Sequence, residues 1–216
     1  FSDIIVEAPL GSRTKLTLPD GTLVWLNAGS RITYSQGFGV GNRKIELIGE
    51  GYFEVKRNEE VPFLVKTNSL LVKVLGTKFN FRDYPDDAEA IVSLSEGKVA
   101  LNNLLKKEKE AFLLPNERVV LNKKNGRMHV EYSTVSNALQ WTNGYLFFDE
   151  ELLPDVVKEL ERSYNVKIQI ASDTLNTFRF YGNFVHREQN IQEVLEALSA
   201  TRKIHYIIEG HNITLY

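Results

Sequence analysis

Two pairs of carboxylates come closest to a catalytic arrangement in this sequence. Glu50 and Glu54 lie four residues apart in a run of strand-forming residues, and Asp86 and Asp87 follow Pro85. Two carboxyl groups at a set separation supply the general acid and the nucleophile of a glycosidase. However, Asp86 and Asp87 lie in a predicted turn, and Glu50 lies between two glycines, where we expect it to accept hydrogen bonds from backbone N–H groups freed by a bulge. We therefore interpret both pairs as structural.

Histidine, serine and cysteine form no catalytic or metal-binding pattern. The histidines lack both the i, i+4 spacing and the HExxH form of a zinc site; they are His129, His186, His205 and His211. No GxSxG segment could present a serine nucleophile, and the chain has no cysteine to form thiolate ligands or disulfides. We therefore predict that the chain is not an enzyme and needs neither a metal nor another cofactor.

Two further patterns could bind a ligand. Residues 36–42, QGFGVGN, space glycines as a phosphate-binding loop does, but such a loop leads into a helix and this one leads into a predicted strand. Aromatic residues could instead line a sugar-binding face; these are Trp25, Tyr34, Phe38, Tyr52 and Phe53. Because Tyr52 and Phe53 are adjacent, they point to opposite sides of a strand, and at least one is expected in the core. A carbohydrate- or ligand-binding β module without catalysis is the alternative function.

The composition is typical of a soluble protein that does not bind nucleic acid. The 216 residues carry 26 basic and 28 acidic side chains, a net charge of −2, and lack the basic excess of a DNA- or RNA-binding protein. This length suits two domains. No apolar run approaches the ~20 residues that span a bilayer. Since the sequence begins at Phe1 without an initiator methionine or a charged leader, we expect a soluble fragment, with room for a membrane anchor upstream.

Runs of β-branched and aromatic residues, split by glycine, dominate the first part of the chain. Residues 43–55, RKIELIGEGYFEV, and residues 71–81, LVKVLGTKFNF, each predict two short strands that meet at a kink or bulge. Further short strands alternate with turn clusters up to Tyr132. We therefore predict an all-β domain over residues 1–132, built either as a sandwich or as a solenoid-like stack of strand pairs.

The hydrophobic spacing becomes helical after a predicted linker at residues 133–144. Apolar residues at i, i+3, i+4 and i+7 predict a helix over residues 151–164, and Asn190 with Glu193 forms an Asn-x-x-Glu cap that opens a second helix. With the intervening strands the order is β-α-β-β-α-β-β, or two β-α-β units against one sheet. The predicted fold class is therefore mainly β, with a small α+β domain at residues 145–216.

Six segments of the N-terminal part occur in a characteristic order. They are Ala8-Pro9-Leu10-Gly11, LPDGTLVWLNAGSRITY, RKIELIGEGYFEV, Val61-Pro62-Phe63, VLGTKFNF and SEGKV. Over about residues 8–102 this order resembles the FecR family of anti-sigma factors, the inner-membrane regulators of cell-surface signalling in two-membrane bacteria. Gly51 departs from the resemblance, since the family usually has alanine there.

The C-terminal β-α-β repeat resembles the short N-terminal domain of secretins and TonB-dependent transducers. Together the two resemblances imply the periplasmic region of a single-pass inner-membrane anti-sigma factor, whose cytoplasmic sigma-factor-binding domain and membrane span are not in this chain. They also imply a partner, the signalling domain of an outer-membrane TonB-dependent transporter. The signal would then pass to an extracytoplasmic-function sigma factor.

A strand predicted over residues 177–182 offers a place for that partner. Alternation points Phe178 and Phe180 toward the helices and Thr177, Arg179 and Tyr181 outward. An open edge or outward face can accept a partner's strand, with main-chain hydrogen bonds giving affinity. The alternative is that these exposed residues are only solvated. We predict Thr177, Arg179 and Tyr181 as the partner-binding residues.

Overall fold

The computed structural model describes residues 2–216, which divide into two compact units. One unit comprises the residues up to Pro9 together with Arg13–Leu139, and the other comprises Leu10–Ser12 together with Gln140–Tyr216. Strands account for 47% and helices for 16% of the structure, with a large, nearly closed sheet and a small C-terminal α/β part. The predicted fold class, mainly β with an α+β part, is confirmed.

Among the residues that the structure describes, the first unit contains thirteen strands and one short helix. These are β1 (Asp3–Ala8), β2 (Thr14–Thr17), β3 (Leu23–Leu26), β4 (Ser30–Ser35), β5 (Arg43–Glu54), β6 (Phe63–Lys66), β7 (Leu70–Val74), β8 (Lys78–Asp83), β9 (Glu89–Glu96), β10 (Val99–Asn103), β11 (Ala111–Leu113), β12 (Glu117–Asn122), β13 (Met128–Tyr132) and α1 (Val135–Ala138). The predicted linker therefore includes a helical turn, and a 3₁₀ turn follows at Gln140–Asn143.

The thirteen strands form one sheet with two halves that share β5. The first half has the order β1-β4-β5-β6-β7-β10-β11, and the second has the order β2-β3-β5-β8-β9-β12-β13. All these pairs are antiparallel except β5 with β6. The chain alternates between the halves, as in a solenoid, and the halves enclose one core, as in a sandwich.

β5 carries the predicted kink as one continuous strand of 12 residues rather than as two short strands. Its first half pairs with β4 and β6, and its second half pairs with β3 and β8. The partners change at Gly49, where φ is +97° and a Cβ would lie 2.9 Å from the Ser30 Cα. Only glycine combines that backbone conformation with so close an approach. In the second glycine-split run, β7 and β8 are separate strands, as predicted.

Inward-facing side chains from both halves form a single hydrophobic core. Phe53 on β5 stacks on Phe79 of the second half, with ring centroids 5.1 Å apart, and meets Phe63 of the first half edge-on at 6.2 Å. All three are fully buried. Each buried phenylalanine contributes about 1.5–3 kcal/mol of transfer free energy, so these contacts hold the two halves together.

A buried arginine anchors the start of β5. Arg43 is only 2% exposed, and its guanidinium forms an ion pair with Asp20 at 3.0 Å. It also donates to the carbonyl oxygens of Val61 (2.7 Å), Lys56 (2.6 Å) and Asn58 (3.2 Å). These bonds hold the loop between β5 and β6 against the start of β5, because a buried guanidinium that lost its acceptors would be strongly destabilising.

Gly76 lies where the chain passes from β7 to β8, and we predict that Gly76→Val destabilises the first unit. A Cβ there would lie 2.7 Å from the Arg57 Cβ and 2.8 Å from the Arg57 Cα, so the backbone would have to move. The free energy of unfolding should fall by about 2–4 kcal/mol, measured by urea denaturation followed by circular dichroism. Leu75→Val, at the exposed neighbouring residue, is the control and should change it little. Equal stability of the two variants would contradict the close-contact interpretation.

The second unit contains five strands and two helices. These are β14 (Tyr145–Leu152), α2 (Leu153–Tyr164), β15 (Lys167–Ile170), β16 (Arg179–Val185), α3 (Ile191–Ser199), β17 (Tyr206–Glu209) and β18 (Asn212–Leu215), with a 3₁₀ turn at Asp173–Thr177. The predicted order β-α-β-β-α-β-β is confirmed. The predicted single sheet is wrong, because β14 pairs only with β16 while β15, β18 and β17 form a separate sheet in that order.

Local sequence signals set the ends of both helices. Pro154 is in the first turn of α2, and Asn165 closes it in the left-handed conformation with φ of +51°. Asn190 and Glu193 form the predicted capping box at the start of α3. Most of the predicted apolar stripes are buried in the core of the unit; the buried residues are Leu153, Val156, Val157 and Leu160 on α2, and Val194, Leu195 and Leu198 on α3. The other two predicted members, Tyr164 and Ile191, are partly buried and pack against the same core.

Candidate partner-binding edge

The predicted partner-binding residues lie on and beside β16, in the second unit. Arg179 and Tyr181 belong to the strand, which runs three residues beyond the predicted end. Thr177 does not, since it ends the 3₁₀ turn, where its hydroxyl donates to the Thr174 carbonyl at 3.3 Å. The predicted strand therefore begins two residues too early, because the turn residues satisfy each other locally before β16 starts.

The side chains of β16 alternate between the core and the surface. Phe180 and Phe184 are buried, and their rings stack at 6.2 Å. Arg179, Tyr181 and Asn183 are exposed, and Tyr181 is 66% exposed. The structure thus places Arg179 and Tyr181 together on the outward face and adds Asn183, which continues the same alternation. The role of these residues in binding stays a prediction.

The backbone of β16 has an open edge. Next to the ladder, the His186 N–H donates to the Gly144 carbonyl and the Leu153 N–H donates to the Phe178 carbonyl. Hydrogen-bonded and non-hydrogen-bonded pairs alternate in an antiparallel ladder. The strand register therefore turns the N–H and C=O groups of Arg179, Tyr181, Asn183 and Val185 away from β14. Those of Val185 are hydrogen-bonded to Gln189 and Glu188, so the open part of the edge is formed by the other three residues. No strand of residues 2–216 other than β14 pairs with β16.

A bulge in β14 shapes the surface opposite Tyr181. The register shifts between Phe148 and Glu151, and Glu150 has φ of +52°. Arg179 Nη1 donates to the Glu150 carbonyl at 2.7 Å, which orients the guanidinium along the bulge. The bulge also exposes three consecutive carboxylates, residues 149–151. Bulges beside binding sites commonly re-aim side chains in this way.

An aromatic pair completes the outward face of this two-stranded sheet. The Phe147 ring meets the Tyr181 ring edge-on, with centroids 6.1 Å apart. We name the β16 edge surface the group of Phe147, Arg179, Tyr181 and Asn183 together with the carboxylates at 149–151. Phe147, Asn183 and the carboxylates were not among the predicted residues, although the Asp-Glu-Glu run and the continued alternation are visible in the sequence.

Glu50 lies in a buried polar network of the first unit, not at a reactive site. It is 4% exposed, and its two carboxylate oxygens accept from the side-chain amides of Asn27 (2.8 Å) and Asn80 (2.9 Å). These two donors are side chains on β8 and next to β3, whereas the sequence suggests backbone N–H donors. The Glu50 N–H instead donates to the Ser30 hydroxyl at 2.8 Å.

The other carboxylates considered for catalysis also have structural partners. Arg82 Nε donates to Asp87 at 2.9 Å, and Arg82 Nη1 lies 3.7 Å from Glu50. Glu54 accepts from the Tyr52 hydroxyl at 3.3 Å. Burial, assisted by the Glu54 carboxylate, raises the pKa of the Tyr52 phenol well above its usual value, so it stays protonated.

The aromatic residues considered for sugar binding do not form an open platform. Phe38, Tyr52 and Phe53 are buried. Trp25 packs against Tyr52 with ring centroids 5.2 Å apart, and Lys15 Nζ lies 4.5 Å from the centre of the Trp25 ring. This arrangement favours packing over ligand stacking. Among residues 2–216, no group of three or more histidine or acidic side chains could hold a metal ion.

We predict that Glu50→Ala lowers stability rather than removing an activity. It would leave the amide donors of Asn27 and Asn80 without their acceptor in a buried site, which should cost about 2–4 kcal/mol. Chemical denaturation measures the loss. Glu46→Ala is the control on the same strand, because Glu46 is exposed and has only a 3.9 Å contact with Lys44. A Glu50→Ala protein as stable as Glu46→Ala would show that the network is dispensable.

Comparison with known proteins relates both units to one family. Residues 5–100 match the family model described as FecR protein, and residues 145–215 match the model described as FecR, C-terminal. The chain belongs to the FecR family of anti-sigma factors. The resemblance inferred from the six sequence segments is thereby confirmed. The FecR C-terminal match runs from β14 to β18 and includes the β16 edge surface.

Two crystal structures extend the similarity over nearly all of this chain. Both are of an anti-sigma factor from Parabacteroides distasonis ATCC 8503, at 1.65 Å and 2.50 Å resolution. Each is 33% identical in sequence with a TM-score of 0.89; the first match covers 99% of this chain and 98% of the other, and the second covers 100% and 99%. No curated protein matches. No helix within residues 2–216 is long and apolar enough to cross a membrane.

Proposed function

We propose that this chain is the periplasmic sensor region of a transmembrane anti-sigma factor. It binds the signalling domain of an outer-membrane TonB-dependent transporter and relays the signal to an extracytoplasmic-function sigma factor. The observation that carries the proposal is FecR membership over both units. Contact with the sigma factor is made by a cytoplasmic domain that is not in this chain.

The β16 edge surface is the proposed docking site of the transporter domain. A strand laid along β16 would meet outward N–H and C=O groups at three alternate residues, Arg179, Tyr181 and Asn183. Main-chain hydrogen bonds of this kind supply affinity in β-augmentation, and side-chain contacts supply specificity. Thr177 lies just before the strand and would contact the end of the added strand.

The charges and the exposed aromatic rings of the β16 edge surface indicate which side chains an incoming strand should carry. Residues 149–151 carry three carboxylates beside the Phe147–Tyr181 pair. An apolar side chain opposite Tyr181 would bury that pair further, and a basic neighbour would face the carboxylates. We therefore propose that the incoming strand alternates apolar and basic residues on the face that it shares with Tyr181.

We predict that Arg179→Glu with Tyr181→Ala weakens binding of the cognate transporter signalling domain by at least tenfold. The double change reverses one charge and removes the exposed ring, and truncation of a central aromatic contact commonly costs ~2 kcal/mol or more. Isothermal titration calorimetry with the purified chain measures the affinity.

The matched control is Lys124→Glu with Tyr132→Ala, which makes the same kinds of change in the first unit. Both residues are exposed there, and Tyr132 is 86% exposed. Binding should be as tight as in the unchanged chain. If the Arg179/Tyr181 variant is folded and binds as tightly as the unchanged chain, the docking site lies elsewhere. If no cognate transporter domain binds the unchanged chain, the proposed function itself is wrong.

A further inference from the structure

The second sheet of the C-terminal unit has a different open edge, formed by β17. β17 pairs only with β18 within residues 2–216. His205 and Tyr216 exchange both backbone hydrogen bonds, at 2.9 and 3.0 Å, and so form a hydrogen-bonded pair next to the β17–β18 ladder. By alternation, the N–H and C=O groups of Tyr206 and Ile208 point away from β18. This edge therefore offers two donors and two acceptors.

β17 lacks three of the common protections of an edge strand, although it is short. Natural edge strands are commonly blunted by lysine, proline or a bulge, but β17 is Tyr206-Ile207-Ile208-Glu209 and its register with β18 is unbroken. Ile207 is 49% exposed and points away from the core, and Ile208 is 39% exposed at the edge. Consecutive apolar residues at an open edge are typical of a strand that pairs with another chain.

The opposite edge of the same sheet, β15, is partly occupied. The outward N–H of Ile168 donates to the Glu161 carboxylate on α2 at 3.1 Å. The residues of β15 also alternate between exposed Lys167 and Gln169 and half-buried Ile168 and Ile170. One edge of this small sheet thus has a side chain of its own unit bound to its backbone, and β17 has no strand partner but β18 within residues 2–216.

We propose that β17 pairs with β17 of a second copy of this chain, antiparallel about a twofold axis that passes through Ile207. In that register Tyr206 of each copy lies opposite Ile208 of the other copy. The outward N–H and C=O groups of these two residues, four in each copy, form the hydrogen bonds between the strands. Ile207 then lies opposite Ile207 of the second copy. The two three-stranded sheets become one sheet of six strands.

Side-chain complementarity supports this register, since an imidazole N–H of His205 can donate a hydrogen bond to a Glu209 carboxylate. His205 and Glu209 flank the apolar residues on the same face as Ile207, and the twofold register places each opposite the other in the second copy. Histidine and glutamate form a favourable cross-strand pair. Every position of the strand therefore meets a compatible side chain in a second copy, which is the condition that an isologous interface must satisfy.

The association should be weak and dependent on concentration. A single strand pairing buries less than the ~1,600 Å² of a standard stable interface. The proposal is independent of the function proposed for β16, because β16 belongs to the other sheet of the unit.

A single engineered cysteine tests the register, since the chain contains no cysteine of its own. Ile207→Cys should form a disulfide-linked dimer under mild oxidation, because the axis places the two copies of residue 207 in a non-hydrogen-bonded pair with Cα atoms about 4.5 Å apart. Ile5→Cys is the control: Ile5 is 58% exposed on the edge strand β1 of the first unit. We expect mainly dimer for Ile207→Cys and monomer for Ile5→Cys on non-reducing gels.

A mixing experiment makes the test specific for the antiparallel register. Neither His205→Cys nor Glu209→Cys alone should crosslink efficiently, whereas an equimolar mixture should give the mixed dimer. Crosslinking that is equal for Ile5→Cys and Ile207→Cys, or a mixture no better than its components, would overturn the proposal. A third outcome would also overturn it. In that case Ile207→Cys stays monomeric, and its thiol reacts with maleimide unless the transporter signalling domain is added. β17 would then bind that domain and not a second copy of the chain.

Discussion

The backbone conformation of Gly49 is the constraint on which the first unit depends. Within residues 2–216, β5 is the only strand shared by both halves of the large sheet, and it exchanges both of its neighbours at Gly49. The exchange requires φ of +97° and leaves no room for a Cβ next to Ser30. Two buried charges on the same strand fix its halves: Arg43 binds the loop toward β6, and Glu50 binds the amides of Asn27 and Asn80. One short segment thus determines how both halves meet.

Much of this fold could be predicted because its signals are local. The kink follows from glycine within strand-forming residues, and the start of α3 follows from Asn190 and Glu193, three residues apart. The partners of Glu50 could not be predicted in this way, since Asn27 and Asn80 are 23 and 30 residues distant in sequence. Likewise β15 pairs in parallel with β18, at the other end of the unit, and no local pattern specifies that choice. The predicted single sheet was therefore wrong although every strand of the order was present.

In the candidate site, too, local features could be predicted from the sequence and long-range features could not. Alternation alone is enough to expose Arg179 and Tyr181 and to bury Phe180, and it could have been extended to Asn183. Whether an edge is open cannot be decided from alternation. It depends on which residues of the ladder form hydrogen-bonded pairs and on what covers the strand. The contrast between β15, whose Ile168 N–H is bound by Glu161, and β17, whose outward groups have no strand partner within residues 2–216, could only be seen in the structure.

The division of the C-terminal unit into two small sheets gives these edges their physical importance. An isolated pair of strands is marginally stable, and a third strand adds disproportionately to it. The β14–β16 pair has two strands and a bulge that interrupts its ladder, so an added strand along β16 would stabilise the element that it binds. Strand addition to β17 would instead extend a sheet that already has three strands. A partner bound at the proposed β16 site would therefore change the local stability of the unit, and stabilisation of β14 and β16 would be the conformational signal of that binding.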